Sequence, residues 1–332
     1  MRISMHGIRW FLLRGVMITA GSLTFAPGLV VAQLTPEQVA NYRSIVGNQV
    51  EAITILGGDY GASGASFRQT HSPEHTELDL SKFGGAGDLG DPKPLGLLGF
   101  GWQPVLQGEL GFANAKTDFT SGALAGDISK NKTFAIEFGG GARFWFNDHL
   151  SLAPTIMGMY GHTENDYTAN NPNSIALLPQ AQEAGLVNWK ADTWTIRPGA
   201  NLEYVQTWRR TVFTLSSEFA YFHTESFHTS SSNLNINGGS EAWKNMLDVD
   251  IPLGKQLLGH ELHTGGFFSR TDLYDDLKHG LNTSYIYEIH GRLVLDFLGQ
   301  LGIVKWIGVG GSYLWGNGFS GWSVGADVQF KF

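Results

Sequence analysis

The eleven residues Trp322-Ser-Val-Gly-Ala-Asp-Val-Gln-Phe-Lys-Phe332 alternate without a miss. Trp322, Val324, Ala326, Val328, Phe330 and Phe332 point one way, and Ser323, Gly325, Asp327, Gln329 and Lys331 point the other. A period of two puts the two sets on opposite faces of one strand. A strand that is apolar on one side, polar on the other and terminal suits the closing stave of a membrane β-barrel. An edge strand of a soluble sandwich is the competing reading.

The other end of the chain favours export. Arg2, Arg9 and Arg14 form a basic region, Ile18 to Val31 carries no charge, and Val30-Val31-Ala32 offers small residues before Gln33. This is the pattern of a secretory signal peptide over residues 1–32. The alternative, a membrane anchor, is interrupted by Thr19, Gly21, Ser22, Pro27 and Gly28 and has no basic flank after it.

Taking the three arginines of that segment from the 22 basic residues leaves 19 against 30 acids, a net of −11. An acidic chain without a basic stripe is not a nucleic-acid binder. With no cysteine, disulfides, thiolate metal ligands and thiol catalysis are excluded. Glycine is 44 of 332 residues, aromatics are 12% and charged residues only 16%, against roughly 25% charged in soluble domains. High glycine and aromatic content without a long apolar run suits strands that cross a membrane.

Thr35-Pro36-Glu37 has the order of a helix start, cap, proline and acid. Val39, Tyr42, Ile45, Val50 and Ile53 continue at helical spacing to Gly57-Gly58. Residues 33–58 therefore read as a helix at 36–56 that plugs a lumen, lies on the periplasmic side or is a remnant linker. Residues 59–332 read as strands.

From Pro104 onward ten alternating segments are joined by connections that alternate short and long. Tight corners are expected at 102–104, 147–149, 208–210, 252–257 and 297–301, and long loops at 118–131, 167–190, 228–241 and 272–281. Two further strands come from 63–101, including Glu77 to Phe83 and Pro94 to Gly101. The expectation is a closed antiparallel transmembrane barrel of about twelve strands, with ten or fourteen as alternatives. Pro154 and Pro198 fall inside these strands, where a missing ladder donor is unwelcome; bulges or a register shift would accommodate them. Trp194, Trp243, Trp315, Trp322, Tyr160, Tyr221 and Tyr285 lie near strand ends, as interfacial girdles do.

The leader, the short helix, the Gly101-Trp102-Gln103-Pro104 corner, Leu106-Gln-Gly-Glu-Leu-Gly-Phe112 and the final Trp322–Phe332 strand come in a specific order. Together they resemble the solitary outer-membrane autotransporter-like β-barrel proteins, over about residues 60–332. The resemblance implies an autotransporter translocator barrel without a passenger, in the bacterial outer membrane. It further implies outer-membrane lipid and the barrel assembly machinery as partners, with Trp322, Val324, Val328, Phe330 and Phe332 as the assembly signal. The helix parallels the lumenal helix of autotransporters. The family brings no catalytic residues and no cofactor, and a monomer is expected.

Alternation places Glu109, Glu137, Arg143, Arg197, Glu203, Glu218, Asp248, Glu288, Arg292, Asp296 and Asp327 toward the lumen. They would form structural ion pairs or line a small-solute pore with weak cation preference. His228 and Ser230 resemble the His/Ser arrangement of outer-membrane phospholipases, which makes a lipid-modifying hydrolase the catalytic alternative. On this parity both face the lumen or lie in the loop. His71-Ser-Pro-Glu-His75 spells a zinc motif, but that chemistry needs both imidazoles on one helical face and Pro73 breaks the helix. Gly85-Ala-Gly87-Asp-Leu-Gly90 lacks the βαβ unit of a nucleotide loop.

Overall fold

The alternation does close into a ring. The computed structural model describes residues 49–56, 61–69, 75–95, 100–121, 124–231, 235–301 and 304–330. The leader at 1–32, most of the expected helix, residues 71–74 and Phe332 lie outside them. The strands are β1 (Gly61–Gln69), β2 (His75–Asp88), β3 (Lys93–Leu95), β4 (Phe100–Asp118), β5 (Ile128–Trp145), β6 (Leu150–Thr168) and β7 (Lys190–Trp208). They continue with β8 (Thr211–Thr229), β9 (Asn237–Leu257), β10 (His260–Tyr274), β11 (Tyr285–Leu301), β12 (Val304–Gly316) and β13 (Phe319–Phe330). Three helices accompany them: α1 (49–55), α2 (Pro172–Glu183) and α3 (Asp275–Gly280).

Apart from the three-residue β3, which adds only to β4, each strand hydrogen-bonds two antiparallel neighbours in the ring. β1 pairs β2 on one side and β13 on the other, with Ala65 opposite both Leu80 and Ser323, and β2 pairs β4. The twelve strands thus form a closed barrel without a free edge, the arrangement that satisfies every ladder group inside a bilayer. Among the described residues no helix is long and apolar enough to cross a membrane.

The outward face is a band of exposed apolar side chains, among them Phe112, Ile136, Phe138, Ile156, Leu215, Phe268, Ile289, Val309, Trp322 and Val324. An exposed apolar band is the outward face of strands that cross a membrane. The residues between these positions point inward, because one residue along a strand reverses the face.

Short turns gather at one end of the barrel. Arg209-Arg210 joins β7 to β8, and Leu258-Gly259 joins β9 to β10 with φ of 55° and 83°, the left-handed pair that matches hairpin twist. Between β5 and β6 the Asn147 carboxamide accepts from the amides of His149 and Leu150 at 2.8 Å. The opposite end carries residues 119–121, 124–127, 169–189 with α2, 230–231, 235–236 and 275–284 with α3.

Several expected boundaries moved, among them the corner at 297–301, which lies within β11. Gly101-Trp102-Gln103-Pro104 is not a corner; it lies within β4. Pro104 sits just past the end of the β2–β4 ladder, and its carbonyl accepts from the Leu89 amide at 2.8 Å, so its missing N–H interrupts nothing there. Pro94–Gly101 is not a stave of the ring, whose first member is β1. Pro252 to Gln256 does not turn, because a bulge at Leu253-Gly254 (Gly254 φ 65°) absorbs the proline and β9 runs on to Leu257.

Pro154 and Pro198 needed neither bulge nor shift. The β6–β7 register is continuous through Pro154–Ala200 and Ile156–Pro198. The ladder instead skips a step on the far side of each proline, between Gly141–Thr155 and Phe144–Leu152, and between Ile196–His223 and Gly199–Ala220. The missing donors fall on those sides.

Candidate functional site

The lumen is divided into two parts. In the half nearer the long loops, α1 lies inside the barrel. Its Val50, Ala52 and Ile53, with Leu56 just beyond it, join one apolar cluster with Phe67, Leu80, Ala113, Ala135, Met159, Phe222, Leu273, Leu277, Leu314 and Phe319. Burying Val50, Ile53 and Leu56 contributes roughly 1.5–3 kcal/mol each. These inward positions are apolar because they pack a helix.

The wall has been thinned to admit the helix. A Cβ on Gly111 would stand 2.1 Å from Ile53 Cγ2, and one on Gly161 would stand 2.7 Å from Val50 Cγ1. Polar contacts fix the position of α1. Thr133 donates to the Gln49 side chain at 3.1 Å, and Lys82 Nζ donates to the Ile53 carbonyl at 3.4 Å. Thr224 of β8 donates to Glu51 at 2.7 Å, and Ser240 of β9 also donates to that carboxyl. Glu51 is only 2% exposed. Neither Glu51 nor its two hydroxyl partners stood out in the sequence; the one available signal was a lone acid in the apolar run Val50-Glu51-Ala52-Ile53.

The half nearer the short turns holds a cavity of about 800 Å³ beneath Thr54 and Ile55. Of the eleven charges read as inward, ten line it; Glu288 is buried in the wall of β11 and does not line the cavity. Most of them are paired. Arg197 holds Glu137 through two hydrogen bonds of 2.7 and 2.9 Å and lies 3.7 Å from Glu218. Arg143 donates to Asp88 at 3.2 Å and to Glu203 and Ser151 at 3.0 Å. Arg292 grips Asp248 at 2.5 and 2.8 Å, and Lys82 reaches Glu109 at 3.3 Å. Asp296 and Asp327 lie 3.8 and 3.6 Å from His263 and His290. Nine acids and six Lys or Arg side chains face the cavity, so its wall carries an acidic excess.

His228 and Ser230 are not brought together as a catalytic pair. A bulge at Phe227 reverses the face of the end of β8. His228, which the parity had placed in the lumen or loop, therefore points outward and meets Asp192 at 3.1 Å. Asp192 also accepts from Tyr160 at 2.9 Å and contacts His162 Nδ1 at 2.6 Å. The Ser230 hydroxyl accepts from the Lys190 amide at 2.9 Å and so serves the β7–β8 junction. Among the described residues no group of three or more His, Asp or Glu side chains could hold a metal ion.

Residues 99–325 match the model of the solitary outer membrane autotransporter beta-barrel domain. The chain belongs to that family. Solitary autotransporter barrels are outer-membrane proteins, and this chain resides in the bacterial outer membrane. Its fold is similar to the translocator domain of the autotransporter NalP from Neisseria meningitidis, with 11% identity, a TM-score of 0.53, and coverage of 89% of this chain and 98% of that one. It is also similar to the transport unit of AIDA-I from Escherichia coli, with 11% identity, a TM-score of 0.52, and 90% and 100% coverage. The β domain of the Bordetella autotransporter BrkA gives 14% identity, a TM-score of 0.50, and 82% and 98% coverage. No curated protein sequence matches the chain. In an outer-membrane barrel the short turns are periplasmic and the long loops extracellular. The charged cavity of this solitary autotransporter barrel therefore faces the periplasm, and α1 lies in the extracellular half.

Proposed function

We propose that the protein is a non-catalytic outer-membrane barrel of translocator type whose lumen is closed at rest by its own α1. The observation that carries this reading is the seating of Ile53 against Gly111, where the wall lacks even a β-carbon. α1 enters with Gln49 on the extracellular side, near Thr133, and leaves with Thr54 and Ile55 over the periplasmic cavity. Planar-bilayer recording tests the closure: the chain from residue 33 gives no unitary current, whereas a chain lacking 33–58 conducts. Steady conductance by the former would remove the reading.

The acidic excess of the cavity wall favours a second reading, a small-solute pore with weak cation preference. A cation-selective reversal potential in the opened barrel supports it, and an anion-selective one removes it. The hydrolase alternative has no geometric support, since the Ser230 hydroxyl is engaged by a backbone amide. Outer-membrane lipid around the apolar band, a monomeric state, and recognition of the last strand by the barrel assembly machinery complete the proposal. For the last, deletion of Phe332 lowers the outer-membrane yield of folded barrel, and an unchanged yield would argue against it.

A further inference from the structure

Glu51 is a carboxyl group held inside an apolar cluster by two hydroxyls from neighbouring staves. Thr224 and Ser240 can each donate or accept, so a neutral carboxyl accepts from one and donates to the other and leaves nothing unsatisfied. An ionised carboxylate in the same place keeps a full charge among Val50, Ala52, Phe222, Ala242 and Leu277, a costly burial without a cation.

Among the described residues the bases nearest to it are engaged elsewhere. Lys82 on β2 is taken by the Ile53 carbonyl and by Glu109 on β4. Arg197 on β7 is taken by Glu137 on β5 and Glu218 on β8. Lys244 on β9 lies over the Phe267 ring of β10, 5.4 Å from its centre. From α3 the charge that acts on Glu51 is Asp276, an acid.

We propose that Glu51 is a pH-sensitive latch on the lumenal plug: while its carboxyl is protonated α1 stays seated, and its ionisation drives α1 from the wall and opens the lumen. The latch rests on the closed-lumen reading above. Burial is the main cause that lifts this carboxyl from 4.5 to about 7, with Asp276 adding and the two hydroxyls opposing. α1 does not itself cross the membrane. Once released into water the group regains its ordinary value, so release binds fewer protons than closure. The bias toward opening is absent below about 4.5, grows as pH rises, and levels off above about 7. Its full extent is on the order of 10²-fold in the opening equilibrium.

The test is unitary conductance of the whole mature chain in planar bilayers between acid and mildly alkaline pH, beside Glu51→Gln and Gly111→Val. Glu51→Gln keeps the hydroxyl contacts without a charge to lose and stays closed throughout. Gly111→Val, which fills the seat of Ile53, conducts at every pH. The unsubstituted chain opens along the rising limb just described. If Gly111→Val conducts but the unsubstituted chain ignores pH, or Glu51→Gln still responds, the latch is overturned while the plug stands. If Gly111→Val does not conduct, the plug reading falls and the latch with it. The chain has no cysteine, so Ile53→Cys gives a second readout: its maleimide labelling should rise more steeply with pH than in the Glu51→Gln background. Equal slopes would overturn the latch independently of conductance.

Discussion

Arg197 on β7 reaches past β6 to Glu137 on β5, and its Nε and Nη2 donate to the two carboxylate oxygens at 2.7 and 2.9 Å. Both side chains are almost wholly buried, at 7% and 2% exposure. The pair ties together staves that are not neighbours. Glu218, 3.7 Å from Arg197 and much more exposed, cannot replace Glu137.

Removing one member therefore strands a buried charge. Glu137→Ala is expected to cost about 3–5 kcal/mol, read as a lower urea midpoint of the barrel in micelles. Replacing both residues with apolar ones (Glu137→Leu with Arg197→Met) should recover most of that loss. A double variant as unstable as the single one would show that the pair does more than neutralise itself.

Gly111→Val is a test of the seat of α1 that does not depend on conductance. The added side chain overlaps Ile53, whereas valine itself suits a strand. Hydrogen exchange at the amides of 49–56 should accelerate strongly while β4 keeps its protection. Unchanged exchange in α1 would mean that the helix finds another seat.

The extracellular loops are pinned at Asp127. Its carboxylate accepts from the amides of Asn170 and Asn171 at 2.6 and 2.8 Å and from the Tyr167 hydroxyl at 2.5 Å, just before α2. Burial pushes its pKa up, but the hydrogen bonds from Ser174, Tyr167 and the two amides outweigh burial and hold it below the ordinary 3.8. A depressed carboxyl contributes its full stabilisation above the unfolded value and loses it as pH falls through the folded one. Protection of the 170–174 amides should hold from neutral pH down to about 3.8 and fail below it. Asp127→Asn should weaken that protection at neutral pH and flatten the acid dependence.

Ser230→Ala should leave phospholipid turnover unchanged, because the hydroxyl touches the Lys190 amide and no activated base. Its measurable effect should be local, a faster exchange of that amide. Loss of a lipid-hydrolysing activity in this variant would restore the catalytic alternative.

The barrel itself was legible in the sequence. Strict period-two alternation has only one consequence for a strand with two faces, and the Trp322–Val324 face is indeed exposed. Short and long connections marked the two ends. Tertiary context moved the boundaries: Pro252 reads as a turn residue locally, yet a bulge with Gly254 at φ 65° lets β9 continue. His228 shows how sensitive the facing of a strand is to a bulge, since one extra residue at Phe227 carries every later side chain to the other face.

The character of the interior was decided by the fold alone. Phe67, Phe222 and Phe319 alternate as inward residues should, but only a helix inside the barrel explains why they are large and apolar. Glu51, Thr224 and Ser240 are separated by 173 and 189 positions along the chain. Between bulges, local patterning fixes which way a side chain points. What it meets there depends on strand register and on the segment that fills the lumen, and neither is a local property of the chain.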